Sequence, residues 1–327
     1  MRRTFLIHAI QNTDLGKLSF MLAVIINPKS GKKHFKHQRE YLLRQLEEHG
    51  IAFTAKETEY KGHAVELARD LIESGCNRIL VWGGDGTISE TVNGIMTANI
   101  PEEKRKNIQL GLIPRGTGND FGRFWELTRN YKRSLNIFFE GKPQPMDVGR
   151  LTYFENGVEK HRYFINSIGY GVDPLTCVYA DKLKPFIGSH HSNYLFGLIA
   201  ALFRQKPIPV TLKVDGTECF KAGLFTMNVG NGPYSGGGIR QNPDADPRDG
   251  IFNAMFVEKP TLKQLFKALP NLFNGHLTDI PVIHTIKGSE IEIETEEKVI
   301  VETDGILMDY VGNGRLTCIH NAINFII

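Results

Sequence analysis

Only four cysteines occur in 327 residues, Cys76, Cys177, Cys219 and Cys318. They are too scattered for a disulfide framework or a C-x-x-C pair, and they read as reduced structural thiols of a cytosolic protein. Charge of one sign is also scarce: 39 Lys and Arg against 36 Asp and Glu leave a formal +3. With no basic stripe interleaved with aromatics, there is no nucleic-acid footprint. No apolar run is long enough to span a bilayer. Arg2 and Arg3 precede a short apolar run, but Gln11, Asn12, Thr13 and Asp14 interrupt it before a signal-peptide core is complete, so export is not expected. Residues 1–20 read as an N-terminal extension, and Met21 is an alternative start. Two nucleotide signatures are missing as well. Gly31-Lys32-Lys33 has neither the upstream glycine nor the following hydroxyl of a P-loop. Gly116–Gly122 is one residue too long for the dinucleotide fingerprint and lacks a ribose-binding acid at the usual distance.

What is present is glycine at the ends of strands. Residues 78–82 form a short apolar run that stops at Gly83-Gly84-Asp85-Gly86-Thr87, after which a helical pattern begins near Thr87. Three glycines in four positions exceed what a tight turn needs. They permit positive φ and let a ligand approach the backbone, while amides at a helix start favour a polyphosphate. Two other strand-like runs end alike. Residues 22–26 enter Asn27-Pro28-Lys29-Ser30-Gly31, and residues 108–113 enter Pro114-Arg115-Gly116-Thr117-Gly118-Asn119-Asp120. In open α/β sheets ligands collect at the carboxyl ends of strands, so the three loops point to one phosphate crevice.

The chain is long enough for two domains, with 41% hydrophobic residues to fill their cores. Helical patterns at 35–49, 62–74 and 87–98 alternate with strands near 22–27, 51–57, 78–82 and 108–113, and a further helix falls within 120–140. This predicts an α/β domain with a doubly wound, mainly parallel sheet over 21–144. After Gly141-Lys142-Pro143 the pattern turns to β, with strands at 147–154, 162–169, 208–214, 219–229, 251–257, 282–286, 290–295 and 298–303, and turns at Asn156-Gly157 and Asp215-Gly216. A β-sandwich domain over 145–311 follows. Residues 192–204 are apolar around most of a helical circumference, which suits either a buried core helix or a lipid-facing wall with Arg204 and Lys206 toward headgroups.

In order along the chain, Asn27–Gly31, Thr58 ahead of Gly62-His63-Ala64, Gly83–Thr87 with Glu90, and Gly116–Phe121 resemble the bacterial diacylglycerol-kinase-like lipid kinases, relatives of sphingosine and ceramide kinases. The resemblance continues through Asp147-Val148-Gly149, Asn166–Gly169, Pro233–Gly238 and Asp244–Gly250. The Gly83–Thr87 loop alone is shared with NAD kinases, so the second-half motifs carry the subfamily. The resemblance implies an ATP- and Mg²⁺-dependent kinase whose γ-phosphate goes to a lipid hydroxyl, with a diacylglycerol-like acceptor expected. A sphingoid-base or ceramide kinase, a soluble-substrate kinase of the NAD-kinase type and a non-catalytic nucleotide- or lipid-binding protein are the alternatives. It places ATP on Asn27, Pro28, Lys29, Ser30, Gly31, Thr58, Gly83, Gly84, Asp85, Gly86, Thr87, Ile88, Ser89, Glu90, Thr117, Asn119 and Asp120. Asp85 is the expected organiser of Mg²⁺, extended by Asp120 and Asp147; Asp120 equally suits a helix cap. A structural Mg²⁺ is implied at the Asp249 carboxylate with carbonyls at Asp246 and Ile251. The tail from about residue 312 is expected to return to the first domain. Peripheral association with the inner face of the membrane, lipid as the partner, and a homodimer as an open alternative complete the expectation.

One position departs from the family. Where relatives carry Asp-Gly-Glu, this chain has Asp304-Gly305-Ile306, and isoleucine accepts no proton. Asp304 is the expected base, with Glu302 or Asp309 as substitutes; Asp304-Gly305 also fits a plain hairpin turn.

Overall fold

The computed structural model describes residues 21–31, 35–187, 191–271 and 281–327. The expected extension over 1–20 lies outside the described residues. In chain order the elements are β1 (Leu22–Ile26), α1 (Phe35–Glu48), β2 (Phe53–Glu57), α2 (His63–Glu73), β3 (Arg78–Gly83), α3 (Asp85–Thr97), α4 (Glu102–Lys106), β4 (Gln109–Pro114), α5 (Asp120–Phe124), α6 (Tyr131–Glu140), β5 (Pro143–Glu155), β6 (Val158–Phe164) and β7 (Ser167–Tyr170). They continue with α7 (Val172–Ile187), α8 (His191–Arg204), β8 (Ile208–Val214), β9 (Thr217–Gly230), β10 (Phe252–Glu258), α9 (Leu262–Ala268), β11 (Ile283–Gly288), β12 (Glu290–Glu294), β13 (Val299–Thr303), β14 (Ile306–Val311) and β15 (Gly314–Ile326).

The chain divides into two compact units. The first runs to Gly116 and adds Trp125–Met146 and Ala322–Ile327. Its strands lie in the order β2-β1-β3-β4-β15, every neighbouring pair parallel. All five residues of β1 are buried, as a parallel sheet covered on both faces requires. Because the order reverses between β1 and β3, their carboxyl ends form the topological switch point where such sheets bind ligands. Helices α2 and α3 approach closely through Gly94, where an added Cβ would lie 2.6 Å from the Ala68 Cβ.

The second unit comprises Thr117–Phe124 and Asp147–Asn321. It is β-sandwich-like, with the order β14-β13-β7-β9-β8-β12-β15 and with β10 and β11 branching from β9. Phe164, Ile168, Met227, Val229, Phe252 and Val301 are among the side chains of its core. Helices α7 and α8 pack together through Gly197, whose Cβ position lies 2.6 Å from the Thr176 carbonyl.

The fold class agrees with the sequence reading, but several local features differ, and three have a plain physical cause. The helical stretch at 120–140 is broken in two, because the Asn130 side chain accepts from the Lys132 and Arg133 amides and caps a new helix. Helix α7 was not anticipated: Pro174 falls in its first turn, where proline is tolerated, although it reads as a breaker in sequence. Helix α3 starts at Asp85, two residues earlier than its apolar pattern indicates.

Residues Asn324 and Phe325 of β15 pair with Gln109 and Leu110 of β4. Phe325 is fully buried, its ring 5.1 Å from that of Trp125. Phe325→Ala should therefore cost about 3–5 kcal/mol in urea unfolding. A loss below about 1 kcal/mol would show that this strand is not part of the first unit's core.

Candidate functional site

The phosphate loops of the first unit are held by their own polar groups. Asn27 donates from its backbone to the Trp82 carbonyl at 2.9 Å and from Nδ2 to Thr87 Oγ1 at 3.0 Å, tying the β1 loop to the start of α3. Its Oδ1 accepts from the Lys29 amide at 3.0 Å, and its carbonyl accepts from Ser30 Oγ at 2.8 Å. Gly31 has φ +74° and lies under the Arg115 guanidinium, which also sits over the Trp82 ring at 5.7 Å. Burial holds the Arg115 pKa below its usual value.

The glycines act here through space, not through positive φ as expected. Gly84, the N-cap of α3, is extended at φ −103° and ψ −170°. A Cβ on it would lie 2.6 Å from the Gly116 Cα; one on Gly83 would lie 2.5 Å from the Thr87 Cβ. Gly86 faces open space, with nothing within 4 Å of a Cβ. Asp85 thus stands in the first helical turn, among amides that point off the helix end. Thr58, mostly buried, donates its amide to the Ile26 carbonyl at 2.8 Å at the head of the same sheet.

Three expected ligands serve the scaffold instead. Ile88 and Ser89 are fully buried. Glu90 accepts from the Gly62 amide at 2.9 Å and the Ala64 amide at 3.4 Å, so it caps α2.

In the second unit, Asp304 and Gly305 have φ 49° and 80°, the two-positive-φ hairpin turn between β13 and β14. The Asp304 carboxylate accepts from the amides of Ile165 at 3.0 Å, Asn166 at 2.8 Å and Ser167 at 3.2 Å. That engagement fixes the turn and makes Asp304 an anchor rather than the free base expected. Nothing is described of the Asp309 side chain. Glu302 differs. It is buried, accepts from the Gly305 amide and pairs across the sheet with Gly169, itself opposite Asn228. The space left by Gly169 is filled by Asp173, whose Oδ2 would lie 2.9 Å from a Cβ there.

Asp173 accepts from Asn228 Nδ2 at 2.8 Å and Gln241 Nε2 at 3.2 Å. Burial raises its pKa to about 6 despite these donors. Burial, followed by the charge of Asp173, drives Glu302 far above the ordinary carboxylate range. The Tyr194 hydroxyl is raised by burial and then by Cys177, Asp173, Glu302 and Asp120, so it stays protonated beside these acids. Asp120 lies in the first turn of α5, and its Oδ2 accepts from the Gly237 amide at 2.7 Å. Asn119 before it is buried at φ 52°, and Thr117 is exposed. Asp173 and Gln241 also line a pocket of about 590 Å³, counting its open mouth, whose apolar walls include Leu198, Leu202, Phe225 and Met255.

Residues 21–151 match the diacylglycerol kinase catalytic domain, and residues 166–326 match the YegS C-terminal NAD kinase beta sandwich-like domain. A diacylglycerol kinase of Staphylococcus saprophyticus is 30% identical over 283 residues, covering 86% of this chain and 87% of its own; that of Bacillus subtilis is 30% identical over 285, covering 86% and 88%. The chain belongs to the diacylglycerol kinase family. It is accordingly a lipid kinase, transferring phosphate to a hydroxyl. A solved diacylglycerol kinase structure from Bacillus anthracis shares the fold at 22% identity, with TM-score 0.69 over 94% of this chain and 96% of its own. A yeast NADH kinase in complex with NADH aligns at 11% identity and TM-score 0.57 over 94% and 83%, a likeness of fold alone.

In this family member Asp147 is fully buried and saturated. Its Oδ1 accepts from the Asn321 amide and His320 Nδ1, both at 2.8 Å, and its Oδ2 accepts from the Gly250 amide at 2.7 Å. It fastens the 246–251 loop and does not extend a catalytic network as expected. Within that loop Asp246 is taken up by Arg248 at 2.6 and 2.7 Å, while Asp249 accepts from the Ile251 amide at 3.1 Å. Burial, Asp246 and Asp147 raise the Asp249 pKa, a sign of uncompensated negative charge that a hard cation would fit. No cluster of three or more His, Cys, Asp or Glu side chains placed for a metal occurs among the described residues.

Sequence reasoning passed over Arg115, Asp173 and Tyr194. An Asp directly before a proline at a helix start was the available signal for Asp173. Its raised pKa has a stability consequence. Between about pH 4 and about pH 6 the folded state holds a proton that the unfolded state has released, so stability falls as pH rises through that window. Asp173→Asn should flatten this slope, removing on the order of 2–3 kcal/mol of the change, in urea midpoints taken across the range. An unchanged slope would remove Asp173 from the account.

Proposed function

We propose that this lipid kinase takes the γ-phosphate of Mg·ATP and transfers it to the hydroxyl of a diacylglycerol-like lipid, at the cytoplasmic face of the membrane. The pocket in the second unit carries the choice of acceptor: its apolar walls suit acyl chains, and Asp173 and Gln241, which line it, offer a hydroxyl polar partners. The relatives at 30% identity carry the name diacylglycerol kinase, which favours diacylglycerol over a sphingoid base as the acceptor.

On the donor side, the loop amides at Asn27–Gly31 and Gly83–Thr87 cradle the phosphates, with Arg115 beside them as the cation. Asp85 would hold a Mg²⁺ ion through its waters, and the ion would supply neutralising charge for the phosphates. The position of Asp85 in the first turn of α3, between Gly84 and Gly86, supports that role. Glu302 and Asp173 take the hydroxyl-facing role expected of Asp304. A structural Mg²⁺ at Asp249, with the carbonyls of Asp246 and Ile251, relieves the charge of that loop.

Two measurements check this reading. Labelled ATP is offered with mixed micelles of diacylglycerol, monoacylglycerol, ceramide or a sphingoid base, and labelled phosphatidic acid is the expected main product; a phosphorylated sphingoid base instead would overturn the acceptor assignment. Asp85→Asn should lower kcat by about a hundredfold or more with an unchanged circular-dichroism spectrum. Near-normal turnover would refute its role.

A further inference from the structure

Eleven large apolar side chains are exposed among the described residues, and six of them lie on two helices of the second unit. On α8 these are Leu195, Phe196, Ile199 and Phe203, with Phe203 60% exposed; on α9 they are Leu262 and Phe266, 60% and 64% exposed. At about 100° per residue the four on α8 fall within an arc of about 100° on one side of the helix. The opposite side of α8 carries Leu198 and Ala201, buried with Val172 and Phe225 in a small core that Leu202 and Leu265 of α9 join. Neither face is a stray hydrophobic residue of the ordinary surface kind.

Charge follows the same pattern. Neither α8 nor α9 contains an Asp or Glu. Arg204, Lys206, Lys259, Lys263 and Lys267, on or just beyond these helices, are all exposed. The pocket described above opens among the same elements, lined by Leu198 and Leu202 of α8 and by Gln264 and Leu265 of α9.

We propose that the outer faces of α8 and α9 form one membrane-docking surface, in which the six apolar side chains enter the headgroup region of an anionic bilayer and the lysines and arginine lie against its phosphates. Aromatic and aliphatic side chains rimmed by cations, with no acid on either helix, fit an anionic lipid surface and oppose a neutral one. Docking there sets the pocket mouth against the acyl layer, so a lipid enters it without crossing water. The assignment rests on the lipid-acceptor reading for its purpose, but its own contacts do not use the phosphate loops or the buried acids.

The test is co-sedimentation of the full chain with vesicles of mixed phosphatidylglycerol and phosphatidylcholine, or of phosphatidylcholine alone. Wild type should bind the mixed vesicles and not the neutral ones. Phe196→Ser, Phe203→Ser and Phe266→Ser combined should weaken binding by at least about tenfold, and Lys263→Glu with Lys267→Glu should abolish the preference for the anionic lipid. Both variants should phosphorylate a dispersed short-chain diacylglycerol at the wild-type rate, which also reports intact folding. Wild-type vesicle binding without turnover of any lipid would sink the acceptor reading and leave the surface standing. Vesicle binding unchanged in the triple variant would overturn the surface, as would light scattering that shows a dimer lost on the same substitutions, since a second copy would then be the occupant.

Discussion

The phosphate loops depend on the approach of two backbones. At the head of the parallel sheet, the loop after β3 passes so close to the loop after β4 that the only side chain tolerated at Gly84 is hydrogen: a Cβ would stand 2.6 Å from the Gly116 Cα. That contact sets where α3 begins, and hence where Asp85 and the first-turn amides point. Asn27 locks the neighbouring loop to the same place through Trp82 and Thr87. Arg115, between Gly31 and Trp82, brings a guanidinium to the switch point.

The second unit solves the opposite problem. It buries acids, and burial raises the pKa of Asp173 to about 6 and that of Glu302 further, against the side-chain donors that favour the Asp173 charge. Asp173 fills the space that Gly169 leaves, and Glu302, buried on the strand opposite Gly169, lies close enough for the Asp173 charge to raise its pKa. Asp304 shows the alternative fate of a buried carboxylate. Three backbone amides satisfy it, and it holds a turn.

Much of this was legible in the sequence, for physical reasons. Buried parallel strands read as apolar runs, so β1, β3 and β4 and the loops that end them were apparent, and with them Asn27, Asp85 and the glycines. Roles that depend on packing were not. Glu90 looks like part of the phosphate motif but reaches back to cap α2, and Asp147 looks catalytic but fastens Gly250 and His320. Helix α3 starts two residues early because its first turn is polar and its apolar periodicity begins only at Thr87 and Ile88. Asp173 escaped notice because its only local signal was its place before Pro174; its neighbours Asn228, Gln241 and Glu302 lie on β9, in a loop and on β13. The exposed face of α8 was hidden in a stretch apolar on nearly all sides, where only packing on α7 decides which side is covered.

The central claim is that a steric fit between two glycine loops makes the phosphate site. It is tested most directly by isothermal titration of Mg·ATP into wild type and Gly84→Ala. Overpacking against backbone should part the loops, so the account predicts that the variant binds Mg·ATP at least about tenfold more weakly while its affinity for a short-chain diacylglycerol is unchanged. Equal Mg·ATP affinity in the two proteins would contradict it.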